Sequence, residues 1–179
     1  MRFFPIIPKI LVLFSMMLIS SCSGSQNKSE NRKSTDIPLE TYININRSLV
    51  SREQNKIKTY LDSLDLDMKT TGTGLWYIID EPGEGPLIKS GQKVKIDYQI
   101  QLLDGTVCYT SKERGPREFL VGRGGVESGL EEGILLLRKD SRARFIMPPH
   151  LAHGLVGDDD EIPARAIIFY DVLVTEVKN

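Results

Sequence analysis

The side chains with the greatest chemical potential lie in two stretches of the second half of the chain. The two histidines, His150 and His153, stand shortly before an acidic run at residues 158–161, and a basic stretch occupies residues 112–123. Two imidazoles in a predicted loop, without a third ligand at a helical offset, do not make a zinc site. The acidic run lacks the glycine and spaced acceptors of a calcium loop, and no nucleophile elbow accompanies the histidines. The sequence therefore predicts no metal and no cofactor, with an attraction between the two charged stretches as a hypothesis.

The composition is that of one domain with appendages. The chain has 179 residues, of which 40% are hydrophobic, and its formal net charge is -1. Such a content fills one moderate core, and the balanced charge argues against a general nucleic-acid binder. The two cysteines, Cys22 and Cys108, stand in very different contexts, so we expect no disulfide framework.

The first 22 residues have the pattern of an export signal. Two basic residues accompany an apolar run at residues 10–19, which is too short for a comfortable membrane span of about 20 apolar residues. Residues 18–22 then resemble a bacterial lipobox, in which the cysteine is lipidated. We predict a lipoprotein signal peptide over residues 1–21 and a flexible linker over 22–41 that begins at lipidated Cys22. The alternative is an ordinary secretory signal with an incidental cysteine.

A segment after the linker has the pattern of an amphipathic helix. Residues 46–68 contain no glycine or proline, and their apolar side chains recur at helical spacing. These side chains are Val50, Ile57, Leu61 and Leu64. We place the helical segment at residues 42–70, before a Thr- and Gly-rich boundary at 70–74. The helix either packs on its own domain, acts as a spacer, or forms a homodimer.

From Gly74 onward the hydrophobic period changes to that of strands. Residues 93–102 alternate between polar and apolar side chains, which is the period of a half-buried β-strand. Asp104 and Gly105 then predict a hairpin turn. Further strands are predicted at 106–109, 119–121, 142–147 and 166–177, and a helix at 128–139 with acidic residues in its first turn and basic residues in its last. The fold class is therefore α+β, an antiparallel β-sheet wrapped on one short α-helix, over residues 74–178.

The junctions between these elements carry an ordered set of motifs. They are Gly83-Glu84-Gly85-Pro86, Leu103-Asp104-Gly105-Thr106, Phe119-Leu120-Val121-Gly122, Gly129-Leu130-Glu131-Glu132-Gly133, Ala152-His153-Gly154, Ile162-Pro163-Ala164 and Phe169-Tyr170-Asp171-Val172. In this order and spacing the set resembles the FKBP family over about residues 74–177. With the lipobox and the N-terminal helix, the chain is most similar to the gliding-motility-associated FKBP-type lipoproteins of the Bacteroidetes.

The resemblance implies a peptidyl-prolyl cis-trans isomerase acting on proline-containing clients in the cell envelope, held by lipid on Cys22 at the outer membrane or its periplasmic face. Such an enzyme desolvates and twists the X-Pro amide in an apolar pocket. The site residues implied are Tyr98, Tyr109, Phe119, Val126, Glu127, Leu130, His153, Ile162 and Tyr170. The alternative is an FKBP-fold binding or chaperone module with weak or no activity, in a gliding or secretion machinery.

Several pocket positions depart from the family pattern. Cys108 and Tyr109 stand where the family has a phenylalanine followed by an aspartate. The other departures are Arg117 for phenylalanine, Glu127 for isoleucine, Leu130 for tryptophan, His153 for tyrosine and Tyr170 for phenylalanine. Loss of the aspartate is the most serious of these changes. We expect a weaker isomerase than the family standard, poor binding of the family's macrolide inhibitors, and an acidic loop at 158–161 that favours basic peptides.

Overall fold

The computed structural model describes residues 38–179 of the chain. The predicted signal peptide, most of the linker and Cys22 lie outside these residues. The helices are α1 (Leu39–Leu64), α2 (Ser111–Arg114) and α3 (Ser128–Ile134), with a single 3-10 turn at Pro149–Leu151. The strands are β1 (Lys69–Thr70), β2 (Trp76–Glu81), β3 (Lys93–Leu102), β4 (Val107–Thr110), β5 (Arg117–Leu120), β6 (Arg142–Met147) and β7 (Ile168–Lys178).

The seven strands form one sheet in which every pairing is antiparallel. Along the sheet the order is β1-β2-β6-β7-β3-β4, and β5 pairs with the same edge of β3 as β4 does. Strand β3 pairs with β7 from Lys93 to Leu102 and with β4 and β5 along its other edge, so the predicted alternating strand lies inside the sheet. The predicted α+β fold is confirmed.

Helix α3 packs closely on one face of the sheet, because two of its residues have no side chain. A Cβ atom on Gly133 would lie 2.7 Å from the Phe145 ring, and one on Gly129 would lie 2.9 Å from the Met147 sulfur. The helix therefore approaches β6 more closely than any larger residue allows. This close approach explains the two glycines of the Gly129–Gly133 motif in physical terms.

Helix α1 covers the opposite face of the sheet. Because side chains alternate along a strand, Ile146 and Phe169 point away from α3 and pack against Ile57 and Leu61 of α1. Trp76 Nε1 also donates to Gln54 Oε1 on α1 at 2.9 Å. The C-terminal half of α1 is thus docked on its own domain. No helix within residues 38–179 is long and apolar enough to cross a bilayer.

The observed ends of α1 and α3 differ from the predicted ends. Helix α1 begins at Leu39, inside the predicted linker, and ends at Leu64, since Asp65 adopts a left-handed conformation with φ 50°. Helix α3 ends at Ile134 instead of 139, because the next two turns close through Leu136 N–Gly133 O and Leu137 N–Ile134 O bonds of 3.0 Å. Arg138 and Lys139 therefore lie outside α3, and the predicted pairing of its last turn with basic residues was wrong.

Candidate active site

A cavity of about 320 Å³ opens on the α3 side of the sheet. Its lining comes from β3, β4, α2, β5, the residue before α3 and the loop that follows the 3-10 turn. The lining residues are Tyr98, Ile100, Tyr109, Arg114, Arg117, Glu127, His153, Asp158 and Asp160. Aromatic rings thus form one wall, while charged groups form the floor and the rim.

The aromatic wall is built on two adjacent strands. Tyr98 of β3 and Tyr170 of β7 lie with ring centroids 5.9 Å apart and planes tilted by 43°. Tyr170 is fully buried behind the cavity, and its hydroxyl accepts a hydrogen bond of 3.0 Å from Arg117 Nη1. Burial, with the nearby Glu127 charge second, raises the pKa of Tyr170 far above its ordinary value, so the phenol stays neutral.

The floor of the cavity is a buried carboxylate held by two basic side chains. The Glu127 side chain is 5% exposed, and Arg117 Nη1 donates to its two oxygens at 3.1 and 2.8 Å. His153 Nε2 lies 3.2 Å from Glu127 Oε1. His153 Nε2 has no hydrogen-bond partner within the described residues, so this second contact is primarily electrostatic.

These contacts set the charge states of the floor. The Glu127 contact raises the pKa of His153 above 6.5 against the smaller effect of burial. Burial would raise the pKa of Glu127, but contacts with His153 and Arg117 outweigh it and hold this pKa below 4.5. Burial would likewise lower the pKa of Arg117, yet Tyr170 and Glu127 raise it. The floor therefore holds an ion pair, with His153 as a titrating third member.

The rim of the cavity joins the acidic and basic stretches through Tyr109. The Tyr109 hydroxyl donates to Asp158 Oδ2 and receives a 3.1 Å hydrogen bond from the backbone N–H of Glu161. Arg114 Nη2 donates to Asp160 Oδ2 at 2.9 Å, and its guanidinium lies 3.9 Å from the Tyr109 ring centroid. Burial, then the bond to Asp158, raises the pKa of Tyr109 to about 12. The hypothesis of an attraction across the cleft agrees with these contacts.

Some of the predicted site residues line the cavity, and the others belong to the hydrophobic core next to it. Tyr98, Tyr109, Glu127 and His153 line the cavity. Behind the lining lie Phe119, Leu130, Ile162 and Tyr170, which are buried, and Val126, which is half-buried against the same core. Cys108 is also buried, with its sulfur 3.6 Å from the Glu161 carbonyl oxygen.

Sequence reasoning left four lining residues out of the predicted site, namely Ile100, Arg114, Asp158 and Asp160, and it treated Arg117 only as a departure from the family pattern. The available signal for the charged ones was the pair of oppositely charged stretches. The two histidines do not form a pair either. His150 Nε2 bonds the Thr73 carbonyl oxygen at 2.9 Å, whereas His153 faces the cavity.

A second and larger cavity, of about 600 Å³, lies between α1 and the 3-10 turn. It is lined mainly by apolar and uncharged polar side chains, and its charged residues are Glu53 and Arg165, which form an ion pair with each other. It brings together no set of titratable groups comparable to that of the smaller cavity. The smaller cavity is therefore the candidate active site.

Comparison with known proteins assigns the segment that carries the cavity to a family. The family model for FKBP-type peptidyl-prolyl cis-trans isomerases matches residues 85–175, which is half of the chain and includes every residue of the cavity lining. The chain belongs to the FKBP-type peptidyl-prolyl cis-trans isomerase family. The resemblance seen in the motifs is thereby confirmed at the level of the family.

Relatives of the FKBP domain support the same assignment. A probable FKBP-type peptidyl-prolyl cis-trans isomerase of Haemophilus influenzae is 38% identical over 112 residues, 62% of this chain and 46% of that protein. The crystal structure of FkpA from Escherichia coli has a TM-score of 0.61 at 28% identity, over 78% of this chain and 70% of that one. The crystal structure of AtFKBP13 has a TM-score of 0.60 at 27% identity and is covered over 99% of its length. The chain spans less than half the length of the bacterial relatives it matches by sequence.

The raised pKa of His153 leads to a prediction about pH. Because the folded-state pKa lies above the ordinary 6.5, the stability from the His153–Glu127 contact is fully present below that pH and is lost as pH rises through the folded-state pKa. We expect the His153 pKa to lie above 6.5 in the native protein and to fall in a Glu127→Gln variant. NMR titration of the ring protons, with His150→Gln to assign the two imidazoles, measures both values. A native pKa at or below 6.5 would contradict the proposed contact.

Proposed function

We propose that this domain is a peptidyl-prolyl cis-trans isomerase that acts on exported or envelope proteins. The observation that carries the proposal is the cavity bounded by Tyr98 and Tyr109 within the segment that the family model matches. The curated relatives are named as isomerases of this type. The clients proposed are unfolded or partly folded chains that present an X-Pro bond.

The reaction that such a cavity would assist is rotation about an amide bond. The barrier of about 18–20 kcal/mol comes from amide resonance, which water strengthens by hydrogen bonding to the charge-separated form. The Tyr98 ring, backed by the buried Ile100 side chain, offers apolar surface that removes this water and favours the twisted geometry. A barrier lowered by ~4 kcal/mol corresponds to about a thousandfold in rate. No bond is made or broken, so the proposed mechanism has no role for a nucleophile.

The polar floor argues for a slower enzyme than relatives with an apolar floor. The Arg117–Glu127 pair keeps hydrogen-bonding groups at the base of the cavity, so desolvation of the client amide is less complete. The expectation of weak activity and poor macrolide binding therefore remains part of the proposal. The same feature favours clients with a polar group beside the proline.

Substitution of the aromatic wall tests the proposed activity. We expect Tyr98→Ala to lower kcat/KM on an X-Pro peptide by at least about tenfold, because it removes apolar surface that faces the reacting amide. A protease-free peptide assay measures the rate. The control is Leu87→Ala, which removes a large apolar side chain at an exposed position outside both the cavity lining and α1. If the native domain gives no acceleration, or if both variants match it, the isomerase proposal fails and a binding module accounts better for the fold.

We also propose that the protein is a lipoprotein of the cell envelope and belongs to the gliding-motility-associated FKBP-type group of the Bacteroidetes. The support is the lipobox-like sequence at residues 18–22, followed by a polar stretch and a helix that precedes the FKBP domain. Lipid on Cys22 would hold the domain at the outer membrane or its periplasmic face.

Analysis of the mature N-terminus tests the anchor. We expect mass spectrometry of the membrane-extracted protein to find acyl chains on Cys22 as the first residue, and Cys22→Ser to move the protein to the soluble fraction. A single acyl chain gives only marginal membrane binding, so more than one is expected. An unmodified Cys22 in the mature, membrane-extracted protein would rule out this anchor.

The N-terminal half of α1 supports the proposal of a homodimer. The apolar face that is buried at Ile57 and Leu61 extends toward the helix N-terminus as an interrupted stripe, with polar side chains at the intervening positions 46–47 and 53–54. There its members are exposed, with Leu39 at 73%, Tyr42 at 51%, Ile43 at 45% and Val50 at 45%. Large apolar side chains that are exposed on one face of a helix are characteristic of a protein–protein interface. We propose that a second copy of the chain covers it.

A charge placed in the stripe tests the dimer. We expect Ile43→Asp to halve the solution mass of the lipid-free Cys22→Ser protein, since it puts a carboxylate into the proposed apolar contact. Asn55→Asp, at an exposed position of the same helix, adds the same charge outside the stripe and should leave the mass unchanged. Light scattering coupled to gel filtration measures both. A monomeric native protein contradicts the proposal.

A further inference from the structure

The guanidinium of Arg117 uses only one of its three nitrogens in the protein's own contacts. Nη1 donates to both oxygens of Glu127 and to the Tyr170 hydroxyl. Nε and Nη2 have no acceptor among residues 38–179. These two N–H groups lie along one edge of the planar group and point the same way, which is the two-donor fork that matches a carboxylate.

The unpaired edge is accessible from the cavity. Arg117 lines the cavity, and its side chain is 35% exposed. Within the described residues, the buried side-chain nitrogen or oxygen atoms that lack a partner are Arg138 Nε and His153 Nε2. Nε and Nη2 of Arg117 are not among them, so each of the two atoms keeps some exposure to solvent. A ligand in the cavity can therefore reach them without displacing a protein group.

The position of the edge is fixed before any ligand binds. Arg117 lies on β5 and pairs with Ile96 of the central strand β3. Glu127 and Tyr170 hold the opposite side of the guanidinium at 2.8 to 3.1 Å. Little side-chain entropy remains to be lost when the free edge binds an acceptor, and such preorganisation favours affinity.

The carboxylates at the rim are largely satisfied by the protein itself. Asp158 Oδ1 accepts the backbone N–H groups of Asp160 and Ile162, and Oδ2 accepts the Tyr109 hydroxyl. Asp160 pairs with Arg114. The carboxylates of the rim therefore attract a basic client less strongly than the acidic run alone suggests. At the floor, by contrast, Nε and Nη2 of Arg117 are hydrogen-bond donors without an acceptor in the described part of the chain. A prolyl segment complements such a surface, because proline supplies a carbonyl but no N–H.

We infer that Arg117 binds the side-chain carboxylate of an acidic client residue directly preceding the proline. This inference rests on the proposed isomerase function. The preceding residue shares the reacting amide with the proline, so it is the neighbour that has to enter a cavity of about 320 Å³ together with the ring. Arg117 is then a specificity residue for Glu-Pro and Asp-Pro bonds, and Glu127 and Tyr170 are its positioning residues.

A set of peptides that differ only before the proline tests the inference in the isomerase assay. We expect the native protein to prefer Glu-Pro over the isosteric Gln-Pro by about five- to tenfold in kcat/KM, the size expected of a half-exposed ion pair. The difference should lie in KM, because the carboxylate is bound equally in the planar and twisted states. A Leu-Pro peptide measures the activity that does not depend on a polar neighbour.

Two variants assign the preference to Arg117. In Arg117→Lys the single side-chain nitrogen is already claimed by Glu127, so the Glu-Pro preference should fall to about twofold or less while Leu-Pro turnover stays measurable. The control Arg123→Gln removes a positive charge from an exposed loop nearby and should keep the preference. If Arg117→Lys does not melt cooperatively, the double variant Arg117→Gln with Glu127→Gln replaces it, because it leaves no unpaired buried carboxylate, and the same Glu-Pro to Gln-Pro ratio is expected.

The outcomes separate the inference from the function beneath it. No acceleration of any peptide overturns the isomerase proposal and the inference together. Acceleration with a Glu-Pro to Gln-Pro ratio near one overturns the inference alone, as does a preference that survives the loss of Arg117. A preference expressed in kcat with KM unchanged also overturns it, because the carboxylate would then act on the twisted state.

Discussion

The buried carboxylate of Glu127 is the constraint around which the cavity is arranged. A charge that is removed from water is costly unless other groups neutralise and hydrogen-bond it. Arg117 comes from β5 and His153 from the loop after the 3-10 turn, so satisfying one carboxylate ties two distant segments to the start of α3. Tyr170 of β7 joins the set through Arg117. Removing one partner of such a buried pair typically costs about 3–5 kcal/mol, which makes the floor a single unit.

This unit changes how an isomerase pocket of the FKBP family can work. A pocket with an apolar floor acts by removing water from the client amide on all sides. Here the Tyr98 wall can still do so, but the floor keeps an ion pair within reach of the client. Desolvation of the client amide would then lower the barrier less, but the ion pair would offer the client a directional polar contact instead. Under the proposed function, the substitutions that would weaken general catalysis would also supply a basis for choosing among clients.

The sequence predicts the repetitive parts of the fold well and the ends of its elements poorly. Strand β3 is found as predicted, because ten alternating residues allow only one face of the strand to be buried. Helix α3 ends at Ile134, where two tighter turns follow it. The chain beyond these turns is held by Ser141 Oγ, which accepts the Arg138 N–H and donates to the Pro82 carbonyl, a contact across 59 residues that no local pattern contains. The same limit applies to the site. In the sequence Arg117 is one cation of the basic stretch at residues 112–123, and only the folded chain brings Glu127 and Tyr170 to it.

The rim shows why one substituted position is a poor guide to a pocket. In the sequence, Tyr109 stands at a position where the family has an aspartate, and the absence of this aspartate is the most serious departure from the family pattern. In the folded chain the Tyr109 hydroxyl meets Asp158 from the opposite wall, so a carboxylate stands beside the cavity after all, supplied by a different loop. Two backbone N–H groups also bind Asp158 and fix its direction. Burial would raise the pKa of Asp158, but the Tyr109 hydroxyl and then these two N–H groups hold it below 3.8. The substituted tyrosine and the relocated carboxylate are therefore best understood as one feature, which preserves the negative charge of the rim while changing the element that carries it.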